Sequence, residues 1–302
     1  TAVGEEANAY GLQSTAIGEN AQAIGDYSSA VGQNATAVGQ SDSAYGQSAL
    51  ADGSNATALG QGANATGPHA TALGADSLAL AYGTAVGQNS YANTNSVAVG
   101  EDANAYGAHS TAVGEDSTAG DYATAVGQNS HASDNGVAVG EDANAAGTHA
   151  TAVGEDSFAG DYATAIGQNS YASDNGVAVG EDANAWGTHA TAVGENSFAE
   201  GDYSTAVGQS SYAWNDATAL GEDSNAWGSQ STALGENATA IGANTSAVGQ
   251  NAVAVGASDS AFGQDAYANG SQATALGQNS NAFGQHATAL GADSLALDYG
   301  TA

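Results

Sequence analysis

The sequence contains no lysine, no arginine, no cysteine and no methionine, and a single proline, Pro68. Without basic side chains nothing neutralises phosphates, so nucleic acid and anionic membrane surfaces are excluded as partners. Without cysteine there are no disulfides, no thiolate metal ligands and no cysteine nucleophile. No stretch approaches the ~18 apolar residues of a membrane-spanning helix, and the first residues lack a basic, apolar signal pattern. Direct membrane insertion by this segment is therefore not expected. Thr1 opens in mid-motif without methionine, which reads as a mature or excised piece. Aromatic residues make up only 7%, while 32 carboxylates stand unopposed and give a formal charge of −32. Acidic chains poor in aromatics are often disordered. Against disorder stands a strict register of small and apolar residues.

That register is the dominant feature of the 302 residues. A valine, isoleucine or leucine followed by glycine recurs every 13 or 14 residues, from Val3-Gly4, Ile17-Gly18 and Val31-Gly32 to Leu276-Gly277 and Leu290-Gly291. A second glycine usually falls midway, as at Gly11, Gly25 and Gly39, so the basic step is seven residues. Units this small bury nothing alone and must stack on their neighbours, which is the logic of a solenoid. The step reads (Ala/Ser)-Thr-Ala-(Val/Ile/Leu)-Gly-x-x, as in Ala70-Thr71-Ala72-Leu73-Gly74. Its period-two alternation, with glycine every seven residues, points to strands and against helix. The two residues after each glycine, such as Glu101-Asp102 or Gln128-Asn129, are turn formers. The expectation is an all-β, parallel β-solenoid: a single continuous β-roll over residues 1–302 with ~14-residue coils, about 22 of them rising ~4.8 Å each, roughly 100 Å in all.

In an extended segment Ala70, Ala72 and Gly74 share one face, and Thr71 and Leu73 the other. A face of alanine, serine and glycine suits the inside of a flat coil. The residue before glycine in the main series is aliphatic except at Tyr45 and Phe262, whereas in the midway series it varies freely, as at Tyr10, Asp52, Thr66, Tyr106, Ala146 and Trp186. One outer face is therefore a continuous aliphatic ridge, including Val99, Val113, Val126, Val139, Val153, Ile166, Val179 and Val193. A long exposed ridge is unfavourable on a monomer, since covering each such side chain is worth roughly 1.5–3 kcal/mol. Burial between chains of a parallel homo-oligomer follows. A swapped arrangement, with the aliphatics inside a thicker monomeric coil, is also open to the residues alone.

Longer repeats overlie the short one. Residues 97–136, 137–176 and 177–217 are near-copies of about 40 residues, and His69 to Ala85 recurs almost unchanged as His286 to Ala302. Neither end looks capped, so the coil is expected to continue in a longer chain or by end-to-end stacking.

The unit A-x-A-(V/I)-G-x-x-(A/S), seen at Tyr122 to Gln128 (YATAVGQ) and Ala217 to Glu222 (ATALGE), resembles the head repeats of trimeric autotransporter adhesins, the YadA-like family. The resemblance covers essentially the whole chain. It implies a left-handed parallel β-roll, three chains side by side as a homotrimer, and an extracellular place on a cell surface in adhesion or as a spacer.

Few residues invite chemistry. The acidic turns Glu101-Asp102, Glu141-Asp142 and Glu181-Asp182 have oxygens for a hard cation such as calcium, or form a polyanionic surface that gathers calcium and other cations as counterions. No cofactor is required. His109, His149 and His189 recur every 40 residues, too far apart along the coil to share a metal within one chain. Thr71, Thr111, Thr151 and Thr191 form rows of the kind that order water, although an aliphatic neighbour shares their face. Tyr106, Trp186, Trp214 and Trp227 lie on the irregular face, as contacts for a receptor or matrix or as packing between strands. No serine–histidine–aspartate set or phosphate loop stands out, so an enzyme is not expected. The sequence thus reads as a structural, adhesive surface protein. The rivals are a subunit of an end-to-end extracellular filament and a monomeric ice- or calcium-binding solenoid.

Overall fold

The structure, a computed structural model, describes all 302 residues. Its secondary structure is 44 strands of two or three residues each. They fall into two compact units, Thr1–Ala150 and Thr151–Ala302, and the boundary cuts the second of the three near-copies. Both units are built alike. Each coil supplies one strand ending at the aliphatic residue and one midway strand, and each kind stacks into its own parallel sheet.

Register follows the repeat residue by residue. In the first unit Thr71, Ala72 and Leu73 pair with Thr57, Ala58 and Leu59 on one side and with Thr84, Ala85 and Val86 on the other. In the second, Thr205, Ala206 and Val207 pair with Thr191, Ala192 and Val193 and with Thr218, Ala219 and Leu220. Midway strands do the same, Phe198 lying between Asn184 and Tyr212. Alanine is a weak strand former; here the ladder of backbone bonds to the neighbouring coils, such as Gly208 N–H to the Val193 carbonyl at 2.8 Å, does the ordering.

The core consists of alanine. Ala70, Ala72, Ala190 and Ala192 are wholly buried, as are their equivalents in almost every coil, and the bulkiest fully buried side chains are Thr245, Asp42 and Asp259. Two sheets facing each other this closely leave no volume for valine or leucine, because overfilling a packed interior forces side chains off their rotamers. The aliphatic residues accordingly point outward, and the swapped, thicker coil is not the one that forms. Where serine replaces alanine its hydroxyl usually finds the turn carbonyl, Ser117 Oγ donating to Gly114 and Ser157 Oγ to Gly154, each at 2.8 Å, whereas the buried hydroxyls of Ser170, Ser197 and Ser231 have no partner.

The turns carry a conformation that composition only hinted at. In Gly114-Glu115-Asp116-Ser117 the Ser117 N–H returns to the Gly114 carbonyl, and Asp116 is left-handed with φ 56°. The same position is left-handed at Asn129, Asp142, Asn169 and Asp182, residue types whose short polar side chains tolerate that region. Gly114 itself has φ 133°, and a Cβ there would meet the Gly127 carbonyl oxygen at 2.3 Å. At the midway Gly187 a Cβ would fall 1.9 Å from the Gly201 carbonyl oxygen although its φ is ordinary, so close stacking alone demands glycine there.

Candidate functional site

The outward aliphatic row is the most regular surface feature. In the first unit Val99, Val113, Val126 and Val139 are in register on successive coils; in the second, Val153, Ile166, Val179 and Val193 are likewise aligned. They remain partly open to solvent, 36% for Val99 and 40% for Ile166. A threonine row, for example Thr191, Thr205 and Thr218, runs beside it on the same face.

The acidic turns are largely exposed, with Asp182 half-buried, and Glu101-Asp102 is stacked against a second acidic turn, Asp116 N–H donating to the Glu101 carbonyl at 3.1 Å. Glu101-Asp102, Glu141-Asp142 and Glu181-Asp182 each sit beside an amide pair: the N–H groups of Asp102, Asp142 and Asp182 donate to the carbonyls of Gln88, Gln128 and Gln168. Within the first unit Glu101-Asp102 and Glu141-Asp142 are three coils apart, about 14 Å. No group of three or more histidine, aspartate or glutamate side chains is placed to hold a metal ion. Side-chain amides instead interleave with the carboxylates: Gln33 Nε2 donates to Glu19 at 3.1 Å, Gln168 to Glu155 at 3.3 Å, and Gln250 to Glu236 at 3.1 Å.

The histidines have ring partners that the sequence reading missed. His109 stacks on Tyr122 with centroids 5.1 Å apart and His189 on Tyr203 at the same distance, each pair spanning adjacent coils. The signal was the recurrence of Gly-x-His in one coil and Asp-Tyr in the next. The aspartate has its own role, since Asp121 Oδ1 accepts from Ala108 N–H and Asp202 Oδ1 from Thr188 N–H.

Also unforeseen are two wholly buried carboxylates, Asp42 and Asp259, at a position usually filled by alanine or serine. Asp42 accepts from the N–H groups of Gly39, Gly53 and Ala56 at 2.7, 3.0 and 2.9 Å. Asp259 does the same with Gly256, Gly270 and Ala273 at 2.7, 2.9 and 2.8 Å. Each carboxylate replaces the carbonyl that elsewhere closes the next turn.

On the opposite, irregular face Tyr106, Trp186 and Trp227 are exposed at 43, 57 and 51%. Trp186 and Trp227 belong to a ladder of rings confined to the second unit. Phe158 stacks on Tyr171 at 4.9 Å, Trp186 bridges Tyr171 and Phe198 at 5.8 and 5.7 Å, and Phe198, Tyr212 and Trp227 follow at 5.8 and 4.0 Å. Where the ring row is interrupted by Asn184, the Trp186 indole of the same coil leans across, its Nε1 donating to Asn184 Oδ1. Beside the ladder the Tyr212 hydroxyl donates to Glu200 Oε2. Partial burial, then the hydrogen bond and charge of Glu200, hold the Tyr212 phenol well above its usual range.

The family comparison agrees with this construction. The chain matches the family described as YadA head domain repeat over residues 1–21, 9–35, 23–49, 51–77, 92–117, 119–136, 133–157, 159–176, 173–197, 187–211, 215–235, 234–258, 254–280 and 268–294. Among solved structures it is similar to the collagen-binding domain of the Yersinia adhesin YadA, at 31% identity over 44% of this chain and 69% of that one, with a TM-score of 0.37. No curated protein matches. With head repeats matched from the first coils to the last, and with every coil closing on the same glycine turn, the chain belongs to the YadA head repeat family.

Proposed function

We propose that this chain is a non-enzymatic, extracellular adhesive protein of the cell surface, in which three left-handed β-rolls associate side by side through their aliphatic rows. One observation carries the reading: nearly every coil places a valine, isoleucine or leucine outward on the same sheet, in register and half open to solvent. A monomer leaves that row in water, whereas side-by-side association removes it, at about 25 cal/mol per Å² of apolar surface covered. Membership of the YadA head repeat family supports the cell-surface setting and a role in attachment. The wholly acidic surface keeps such assemblies dispersed. Light scattering is the test. A mass three times the 29.1 kDa of one chain is expected, falling to that of one chain when Val179 and Val193 are both replaced by aspartate. A wild-type protein that stays monomeric at high concentration would overturn the trimer.

A further inference from the structure

The third near-copy differs from its sisters along one row of the irregular face. Register aligns Trp186, Glu200, Trp214 and Trp227 as one row on four successive coils, through the pairings of Ala185 with Ala199, Ala199 with Ala213 and Ala213 with Ala226. These are all three tryptophans of the chain. Glu200 is the one carboxylate on this outer face of the second unit. In the sister copies the place of Trp186 is taken by Tyr106 and Ala146, and that of Trp214 by Ser133 and Ser173. Glu200 has no counterpart at all: the sisters read Ala119-Gly120-Asp121 and Ala159-Gly160-Asp161, and here a residue is inserted between Ala199 and Gly201. The same coil closes without any of these side chains, so the fold does not require them.

We propose that Trp186, Glu200 and Trp214, with Tyr212 and Trp227 at their edge, form a binding box for an arginine side chain of a foreign protein. Coils rise ~4.8 Å, which puts Trp186 and Trp214 roughly 10 Å apart with Glu200 midway. A cation resting over Glu200 is then about 5 Å along the coil axis from the register position of each tryptophan, on the scale of the ~6 Å reach of cation–π attraction. Glu200 meets it already oriented, because the Tyr212 hydroxyl holds one carboxylate oxygen while the group stays partly open to solvent. A planar guanidinium suits this arrangement better than an ammonium, since it stacks on aromatic faces and bonds a carboxylate with two N–H groups. The chain contains no lysine or arginine, so neither it nor a second copy can fill the box. The partner proposed is a basic protein, drawn in by the net charge of −32 that these residues carry.

Because every tryptophan lies in the box, intrinsic tryptophan fluorescence reads this site alone. Titration with the peptide acetyl-Gly-Arg-Gly-amide is expected to give a saturable change, and the neutral citrulline peptide none. Glu200→Gln should weaken binding about tenfold, the scale of one charge-assisted contact. Deleting Glu200 should do the same while keeping a folded coil, since it restores the Gly120 and Gly160 form of the sisters. Equal affinity in wild type and Glu200→Gln would mean diffuse attraction to the polyanion and would overturn the box. An equal response to the citrulline peptide, or none to the arginine peptide, would also overturn it. The box lies on the sheet opposite the aliphatic row, so a monomer that still binds separates this inference from the trimer.

Discussion

The buried carboxylate of Asp259 offers the sharpest test of how the coils are closed. Its three N–H partners lie at 2.7, 2.9 and 2.8 Å, and the Ala273 N–H, which elsewhere would return to the carbonyl three residues back, is committed to Asp259 Oδ1. In Asp259→Asn one oxygen becomes an NH2 group, so at least one of these donors faces another donor. A buried donor stripped of its partner costs roughly 1–3 kcal/mol, and a bond to a charged acceptor is worth about 1.5–3 kcal/mol. A loss near 3 kcal/mol is therefore expected, about two decades in the local opening constant. Asp259→Ser should cost less. Serine fills the equivalent corner in many coils, and the Ala273 turn can then close on the Gly270 carbonyl, as the Ser117 turn closes on Gly114. Hydrogen exchange read at the Gly270 and Ala273 amides is the assay, with the Asp42 coil as an unperturbed internal control. Unchanged protection at both amides in Asp259→Asn would refute the idea that the carboxylate holds the turn.

Two further outcomes follow from the surface. The Tyr212 phenol is held above its usual value of 10.0, so its contribution to stability is complete below about pH 10 and fades as pH rises beyond it. Denaturant midpoints followed from pH 8 to pH 11 should fall, and Tyr212→Phe should flatten the alkaline part of that fall; an unchanged slope would exclude the tyrosine. With 32 carboxylates and no basic side chain, melting temperature should rise with sodium chloride or magnesium, and a flat salt response would show that the charges do not oppose folding. Gln168→Glu, which swaps a donor to Glu155 for a like charge, should cost roughly 0.2–1 kcal/mol at low salt and recover as salt is added.

Much of the fold is legible in single residues. The alternation in Ala70-Thr71-Ala72-Leu73 separates inside from outside, and volume decides which side is which: alanine fits between closely facing sheets, leucine does not. The left-handed turn residues were only half legible, because asparagine and aspartate announce a turn but Tyr122 and His109 at the same position do not. The buried Asp42 and Asp259 looked like ordinary polar residues in serine-rich corners. Nothing local distinguishes a solvated carboxylate from one that caps the backbone of the following coil.

By itself, then, the sequence determined the period, the strand pattern, the small interior and the outward aliphatic row, since each follows from the size and polarity of residues within one coil. The tertiary structure alone decided which side chains of neighbouring coils touch. Stacking keeps its register whether a coil has 13 or 14 residues, so His109 meets Tyr122 and His189 meets Tyr203, Trp186 leans over Asn184 between two rings, and an inserted Glu200 comes to stand in register between two tryptophans. Those contacts join residues a full coil apart, and their geometry exists only once the coils are stacked.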